Sequence, residues 1–120
     1  MTLRVALCIA LLSCVPAATA GAADARESAK AESQFGVDVA QRGLWREAIY
    51  RWERAVEIDP TYAAAYNNLA VAYEHEGQVD KARQAYEKAL SMDPENVQIR
   101  QNFDLFKEIN DRAAANPEQP

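Results

Sequence analysis

The chain has 120 residues, which is enough for one domain. Its 13 basic residues are scattered among 18 acidic ones, and the formal net charge is −5. This balance disfavours a nucleic-acid partner, because proteins that bind phosphate backbones cluster lysine and arginine on one surface.

The first 20 residues have the three-part layout of a secretory signal peptide. Arg4 supplies a positive charge, residues 5–15 form an apolar run, and small residues follow. The run is too short to span a bilayer, which takes about 20 residues. Ala18 and Ala20 satisfy the small-residue requirement of the signal peptidase. We therefore expect cleavage after Ala20 and an exported protein that is periplasmic or secreted.

A different processing route is possible at Cys14. The stretch LLSC, residues 11–14, resembles a bacterial lipobox, in which the cysteine becomes the lipidated first residue. Lipidation would anchor the protein to a membrane. Cleavage after Ala20 would instead remove Cys14 and leave the protein free to diffuse. The short apolar core before Cys14 and the good cleavage site downstream favour ordinary cleavage.

Residues 21–28 are predicted to be an exposed lead-in, and helical spacing of apolar residues begins near Ala29. The first helix is predicted to end at Gly43. The second is predicted to end before Pro60, since a residue that precedes proline is disfavoured in the helical region. Its apolar stripe consists of Trp45, Ala48, Ile49, Trp52, Ala55 and Val56.

The same order of elements then recurs. A third helix is predicted to end at Gly77 and a fourth before Pro94. The third has an apolar stripe of Tyr62, Tyr66, Leu69, Ala70 and Tyr73. The fourth has a stripe of Val79, Ala82, Tyr86, Ala89 and Leu90. The spacing is 34 residues between Gly43 and Gly77, and it is the same for the pairs Ala48 and Ala82, Trp52 and Tyr86, and Pro60 and Pro94.

Each recurring residue type has a physical role. Glycine adopts the backbone conformation of a tight turn between antiparallel helices. Alanine permits close approach of two helices, the aromatic residue fills the space beside that contact, and proline ends the unit.

A period of 34 with this residue set resembles the tetratricopeptide repeat family. The second repeat, residues 63–96, has the family residues Tyr66, Leu69, Ala70, Tyr73, Ala82, Tyr86 and Pro94. The first, residues 29–62, departs at Glu32 and Val39 but retains Phe35, Gly36, Ala48, Trp52 and Pro60.

A single further helix is predicted up to Arg112, with Ile99, Phe103 and Phe106 on one face. It resembles the closing helix that covers the last apolar face of such arrays. The predicted fold is therefore all-α: two tandem 34-residue helix-turn-helix repeats and a C-terminal capping helix over residues 29–112. Residues 113–120 are predicted to be a disordered tail.

No catalytic, cofactor or metal site is predicted. The single histidine, His75, lies between Glu74 and Glu76, and neighbours along a helix point in different directions. A metal site needs three or four convergent ligands. The four glycines are isolated and form no phosphate-binding loop. We expect neither an enzyme nor a protein with a small-molecule substrate.

The family resemblance implies a protein or peptide partner held in a concave groove lined by the first helix of each pair. Two rows recur there at 34-residue spacing. The aliphatic row is Val37, Val71 and Leu105, and the carboxamide row is Gln34, Asn68 and Asn102. Carboxamides both donate to and accept from a peptide backbone.

Three alternatives stay open. Asn68 can serve the fit between repeats, and the aliphatic row can be partly core. A lipid-anchored assembly factor would follow from acylation at Cys14. A self-associating structural module is the third, because short arrays are marginal alone.

Overall fold

The computed structural model describes residues 17–117, with side chains from residue 21 onward. It contains five α-helices in this part of the chain. They are α1 (Ala17–Gln41), α2 (Trp45–Ile58), α3 (Ala63–His75), α4 (Val79–Met92) and α5 (Val97–Ala115). The predicted all-α fold is confirmed. Cys14 and the apolar run of the predicted signal peptide lie outside the described residues, as do residues 118–120.

Helix α1 is longer than the repeat that it opens. The described part of α1 covers Ala17–Gln41, so residues 21–28 are helical, and most of them are exposed. The stretch is rich in alanine, which has the highest helix propensity, and Arg26 anchors it by pairing with Asp59. Helix α5 likewise extends to Ala115, three residues past the predicted end of the domain, because alanines follow Arg112.

Two nearly identical turns join the helices of each pair. Gly43 has φ +77° and Gly77 has φ +72°, a region open to glycine and strained for other residues. Gly43 N–H donates to the Ala40 carbonyl at 2.9 Å, and Gly77 N–H donates to the Glu74 carbonyl at 2.9 Å. These bonds satisfy carbonyls that the helix end leaves without partners. The recurring glycines therefore act as predicted.

The core follows the predicted stripes. Ala48 and Ala82 are fully buried, and the aromatic residues beside them, Trp52 and Tyr86, are 3% and 1% exposed. The indole Nε1 of Trp52 donates to the Ser33 carbonyl at 3.0 Å and so holds α2 against α1. Burial of these side chains supplies the main favourable term for a domain of this size.

Helix α5 covers the end of the second repeat. The Tyr86 ring lies 5.4 Å from the Phe103 ring and 5.5 Å from the Phe106 ring, measured between centroids. Asn96 caps the helix by accepting the Ile99 N–H at 3.1 Å. The predicted closing helix is thus present and covers the apolar face of α4.

Candidate partner-binding groove

An open cleft of about 320 Å³ lies where α1, α2 and α3 meet. Its lining consists of Val37, Ala40, Gln41, Trp45, Trp52, Asn68 and Val71. The Trp45 indole stacks on the His75 imidazole with 4.1 Å between ring centroids. This stack fixes the orientation of Trp45 at the border of a mainly apolar surface.

A second, more polar cleft of about 500 Å³ adjoins the first. Its lining consists of Glu27, Lys30, Ala31, Ser33, Gln34, Val37, Tyr62 and Asn68. Val37 and Asn68 belong to both linings, so the two clefts form one surface along α1 and α3. We refer to this surface as the α1–α3 groove.

The groove contains four of the six predicted site residues. Gln34, Val37, Asn68 and Val71 line it, and Val71 is 36% exposed. Asn102 and Leu105 lie on α5 and line neither of these two clefts. Leu105 is nevertheless 58% exposed.

The carboxamide row makes contacts inside the protein. Asn68 Nδ2 donates to Ser33 Oγ at 3.4 Å, and Asn102 Nδ2 donates to Asn67 Oδ1 at 3.1 Å. Each bond joins residues 35 positions apart and therefore links one repeat to the next. Gln34 Nε2 donates to Asp38 at 2.9 Å on its own helix. This geometry favours the alternative that the asparagines hold the repeats together.

Sequence reasoning did not include Trp45 or Lys30 among the candidate site residues. Trp45 fell on the predicted apolar stripe and read as core, yet it is only half-buried and lines the groove. Its position in the second repeat is held by Val79, so the 34-residue recurrence gave no signal for it.

Two tyrosine hydroxyl groups donate hydrogen bonds to nearby carboxylates. Burial raises the pKa of Tyr73 to about 12, and its hydroxyl donates to Glu53 at 2.9 Å. Burial also raises the pKa of Glu74, while a hydrogen bond from the Tyr86 hydroxyl at 3.3 Å opposes that shift. Both phenols therefore act as hydrogen-bond donors at neutral pH.

The described part of the chain has neither a cluster of metal ligands nor a helix that could span a membrane. Residues 17–117 contain no group of three or more His, Cys, Asp or Glu side chains that could hold a metal ion. In the same range, none of the five helices combines the length and apolar character needed to cross a membrane.

Comparison with known families matches the repeats directly. A tetratricopeptide repeat model matches residues 63–96, and a TPR repeat model matches residues 39–77. The first match has the boundaries of the predicted second repeat.

Curated relatives share the repeats but are longer. A chloroplastic tetratricopeptide repeat domain-containing protein of Arabidopsis thaliana, PYG7, is 32% identical over 85 residues, which is 71% of this chain and 28% of that protein. The type IV pilus assembly protein PilF of Pseudomonas aeruginosa is 35% identical over 80 residues, or 67% of this chain and 32% of that protein. The chain thus spans about a third or less of each relative.

Solved structures agree on the fold. A crystal structure of MamA superposes with a TM-score of 0.65 at 32% identity, covering 69% of this chain and 48% of that one. A second MamA structure gives a TM-score of 0.63 at 33% identity over 71% and 46%. The matched repeats and the shared architecture show that this chain belongs to the tetratricopeptide repeat family, whose members generally mediate protein–protein interactions.

Proposed function

We propose that the protein is a non-enzymatic adaptor that binds a peptide or helix of a partner protein in the α1–α3 groove. The observation that supports this most is the exposed apolar surface formed by Val37, Trp45 and Val71 beside polar Asn68. Ligand sites combine apolar lining with a few polar groups that orient the ligand. A partner would bury an apolar side chain against Trp45 and Val71.

The polar part of the groove would orient the ligand. Lys30 and Glu27 form an ion pair at 2.8 Å, and Gln34 lies one turn further along α1. Their exposed charges and amide can contact a peptide backbone. With the two asparagines engaged between repeats, the aliphatic and aromatic side chains supply most of the binding energy in this proposal.

Val71→Gln tests the groove, and Val79→Gln is its matched control. The two valines are 36% and 39% exposed, but Val79 begins α4 and does not line the groove. Peptides would be selected from a random 12-residue phage library on the purified chain, and their affinities measured by fluorescence anisotropy. Val71→Gln should weaken groove peptides about tenfold through lost apolar contact, and Val79→Gln should not.

Thermal melts by circular dichroism accompany the binding measurement. Both variants should stay within about 0.5 kcal/mol of the wild type, as surface changes usually do. If every selected peptide binds Val71→Gln as tightly as wild type, the groove is not the binding surface.

Export belongs to the same proposal. The layout of residues 1–20 supports a secretory signal peptide, and a periplasmic adaptor could serve an envelope assembly, as the similarity to a pilus assembly protein suggests. The intact mass of the protein recovered from the periplasm tests it: a chain that begins at Gly21 is expected. A diacyl adduct on Cys14 would instead identify a lipid-anchored assembly factor.

A further inference from the structure

A further cleft, between α3 and α4, lies on the opposite side of α3 from the α1–α3 groove. It measures about 480 Å³ and is lined by Tyr66, Leu69, Tyr73, Lys81, Gln84, Ala85 and Lys88. Leu69 and Val71 are two positions apart on α3, which places them roughly 200° apart around the helix. This α3–α4 cleft is therefore separate from the α1–α3 groove.

The two lysines of the cleft differ from the other two in the chain. Lys30 pairs with Glu27 at 2.8 Å, and Lys107 pairs with Asp104 at 2.9 Å. Lys81 and Lys88 are exposed, and within residues 17–117 neither has a carboxylate oxygen within 4.0 Å of its ammonium group. The protein is acidic, yet the two lysines that lack a carboxylate partner in the described residues border the same cleft.

The equivalent place in the first repeat holds an arginine that is paired with carboxylates of its own repeat. Arg51 corresponds to Ala85 in the 34-residue register, and its guanidinium lies 4.3 Å from the centre of the Phe35 ring. It also pairs with Glu47 at 2.9 Å and Glu32 at 3.4 Å.

The second repeat replaces this whole arrangement. Lys81 stands where the first repeat has Glu47, and Tyr66 stands where it has Glu32. The small side chain of Ala85 leaves the space between Lys81 and Lys88 open. The first repeat therefore neutralises its own charges at this place, and the second presents an apolar floor with two cations at its border.

We propose that the α3–α4 cleft binds an acidic peptide segment, with an apolar side chain over Leu69 and Ala85 and carboxylates on Lys81 and Lys88. The two lysines are seven residues apart, or about 10 Å along the helix. Alternate side chains of an extended chain share a face, and residues four positions apart are separated by about 13 Å, which two flexible lysine side chains can reach. The segment therefore has two acidic residues four positions apart with an apolar residue midway between them. The floor supplies apolar burial, and the charges supply specificity.

To test this, peptides are selected from a random 12-residue phage library for binding to the purified full-length chain. Enriched peptides with the acidic and apolar pattern are then measured by fluorescence anisotropy against two double variants. Lys81→Gln with Lys88→Gln should weaken their binding at least tenfold. Lys107→Gln with Arg112→Gln removes two positive charges from α5, where neither residue lines the groove or the α3–α4 cleft, and should change it less than about threefold. Circular dichroism melts verify that both variants fold.

Each other outcome overturns the proposal. Equal losses in the two double variants would show attraction by overall charge only, and absence of enriched acidic peptides would show no such site. Lysine-dependent binding of phosphatidylglycerol vesicles without peptide enrichment would assign the cleft to a membrane surface. Val71→Gln should leave the acidic peptides unaffected, so that failure of the groove and failure of this cleft are separate results.

Discussion

Trp52 can be buried against α1 because residue 36 has no side chain. A Cβ built on Gly36 would lie 2.6 Å from the Trp52 Nε1 and 2.8 Å from its Cε2. The indole is 3% exposed and donates to the Ser33 carbonyl, so it has little room to move away. In the second repeat Ala70 takes the place of Gly36, since the partner there is the smaller Tyr86.

Gly36→Ala should therefore destabilise the protein by about 1–3 kcal/mol, as overpacking does. The sign is diagnostic, because glycine to alanine in a helix interior normally stabilises by about 1 kcal/mol. Ala70→Gly is the matched control, because Ala70 holds the same position in the second repeat and glycine there should destabilise, as it normally does in a helix interior. Urea unfolding followed by circular dichroism measures both changes, and stabilisation by Gly36→Ala would contradict the contact.

At the scale of elements, the turn between α2 and α3 holds the N-terminal part of α1. Asp59 is 8% exposed and accepts from the Thr61 hydroxyl at 2.6 Å and the Thr61 N–H at 3.0 Å. Arg26 donates to the same carboxylate and to Thr61 Oγ1. The hydrogen bond from the Thr61 hydroxyl, together with Arg26, lowers the pKa of Asp59. The charged carboxylate thus ties α1 to the turn between α2 and α3.

This lowered pKa predicts how stability depends on pH. A carboxyl group whose pKa is lower in the folded state than in the unfolded state stabilises the folded state when the pH is above the unfolded pKa of about 3.9. That stabilisation is lost as the pH falls through the pKa of the folded state. Asp59→Asn should therefore destabilise the protein most at pH 7, and its difference from wild type should shrink below about pH 4.

Urea unfolding at pH 7, 5 and 3 measures that difference. Glu57→Gln is a suitable control, since the Glu57 side chain is 67% exposed and pairs only with its helix neighbour Arg54 in the described structure. A difference between Asp59→Asn and wild type that is the same at all three pH values would mean that the charge of Asp59 is not what stabilises the turn.

At the scale of the whole molecule, α5 buries an apolar face against α4 and has a charged face on another side. Phe106 is 1% exposed against α4, whereas Asp104 and Lys107 pair with each other at 2.9 Å. Asp104 and Lys107 hold the positions at which α3 has Ala70 and Tyr73 facing α4. Repeat arrays need such a polar face on the helix that covers the last repeat.

Removal of α5 should consequently destabilise the whole array. A chain truncated after Pro94 would expose Tyr86 and the apolar face of α4, and we expect a lower melting temperature and aggregation. Truncation after Ala115, past the end of α5, is the control and should behave like wild type. Circular dichroism melts with light scattering measure both effects. Equal melting temperatures for the two truncations would show that α5 is dispensable.

The order of residues along the chain determined the repeat architecture by itself. Gly43 and Gly77 mark turns because the backbone there needs positive φ, and Ala82 and Tyr86 lie in the core because apolar residues at helical spacing share a face. These requirements act within one or two turns of a helix, so they are readable from local sequence. The family and the all-α fold follow from them.

The pairing of polar side chains was decided by the tertiary structure alone. The carboxamides of Asn68 and Asn102 recur like ligand-binding groups, yet each donates to the preceding repeat. The extended α1 is held by Asp59, 33 residues away from Arg26 in the chain. The physical reason is that a hydrogen bond or ion pair depends on distances of about 3 Å between groups far apart in sequence, and helical spacing carries no information on those distances.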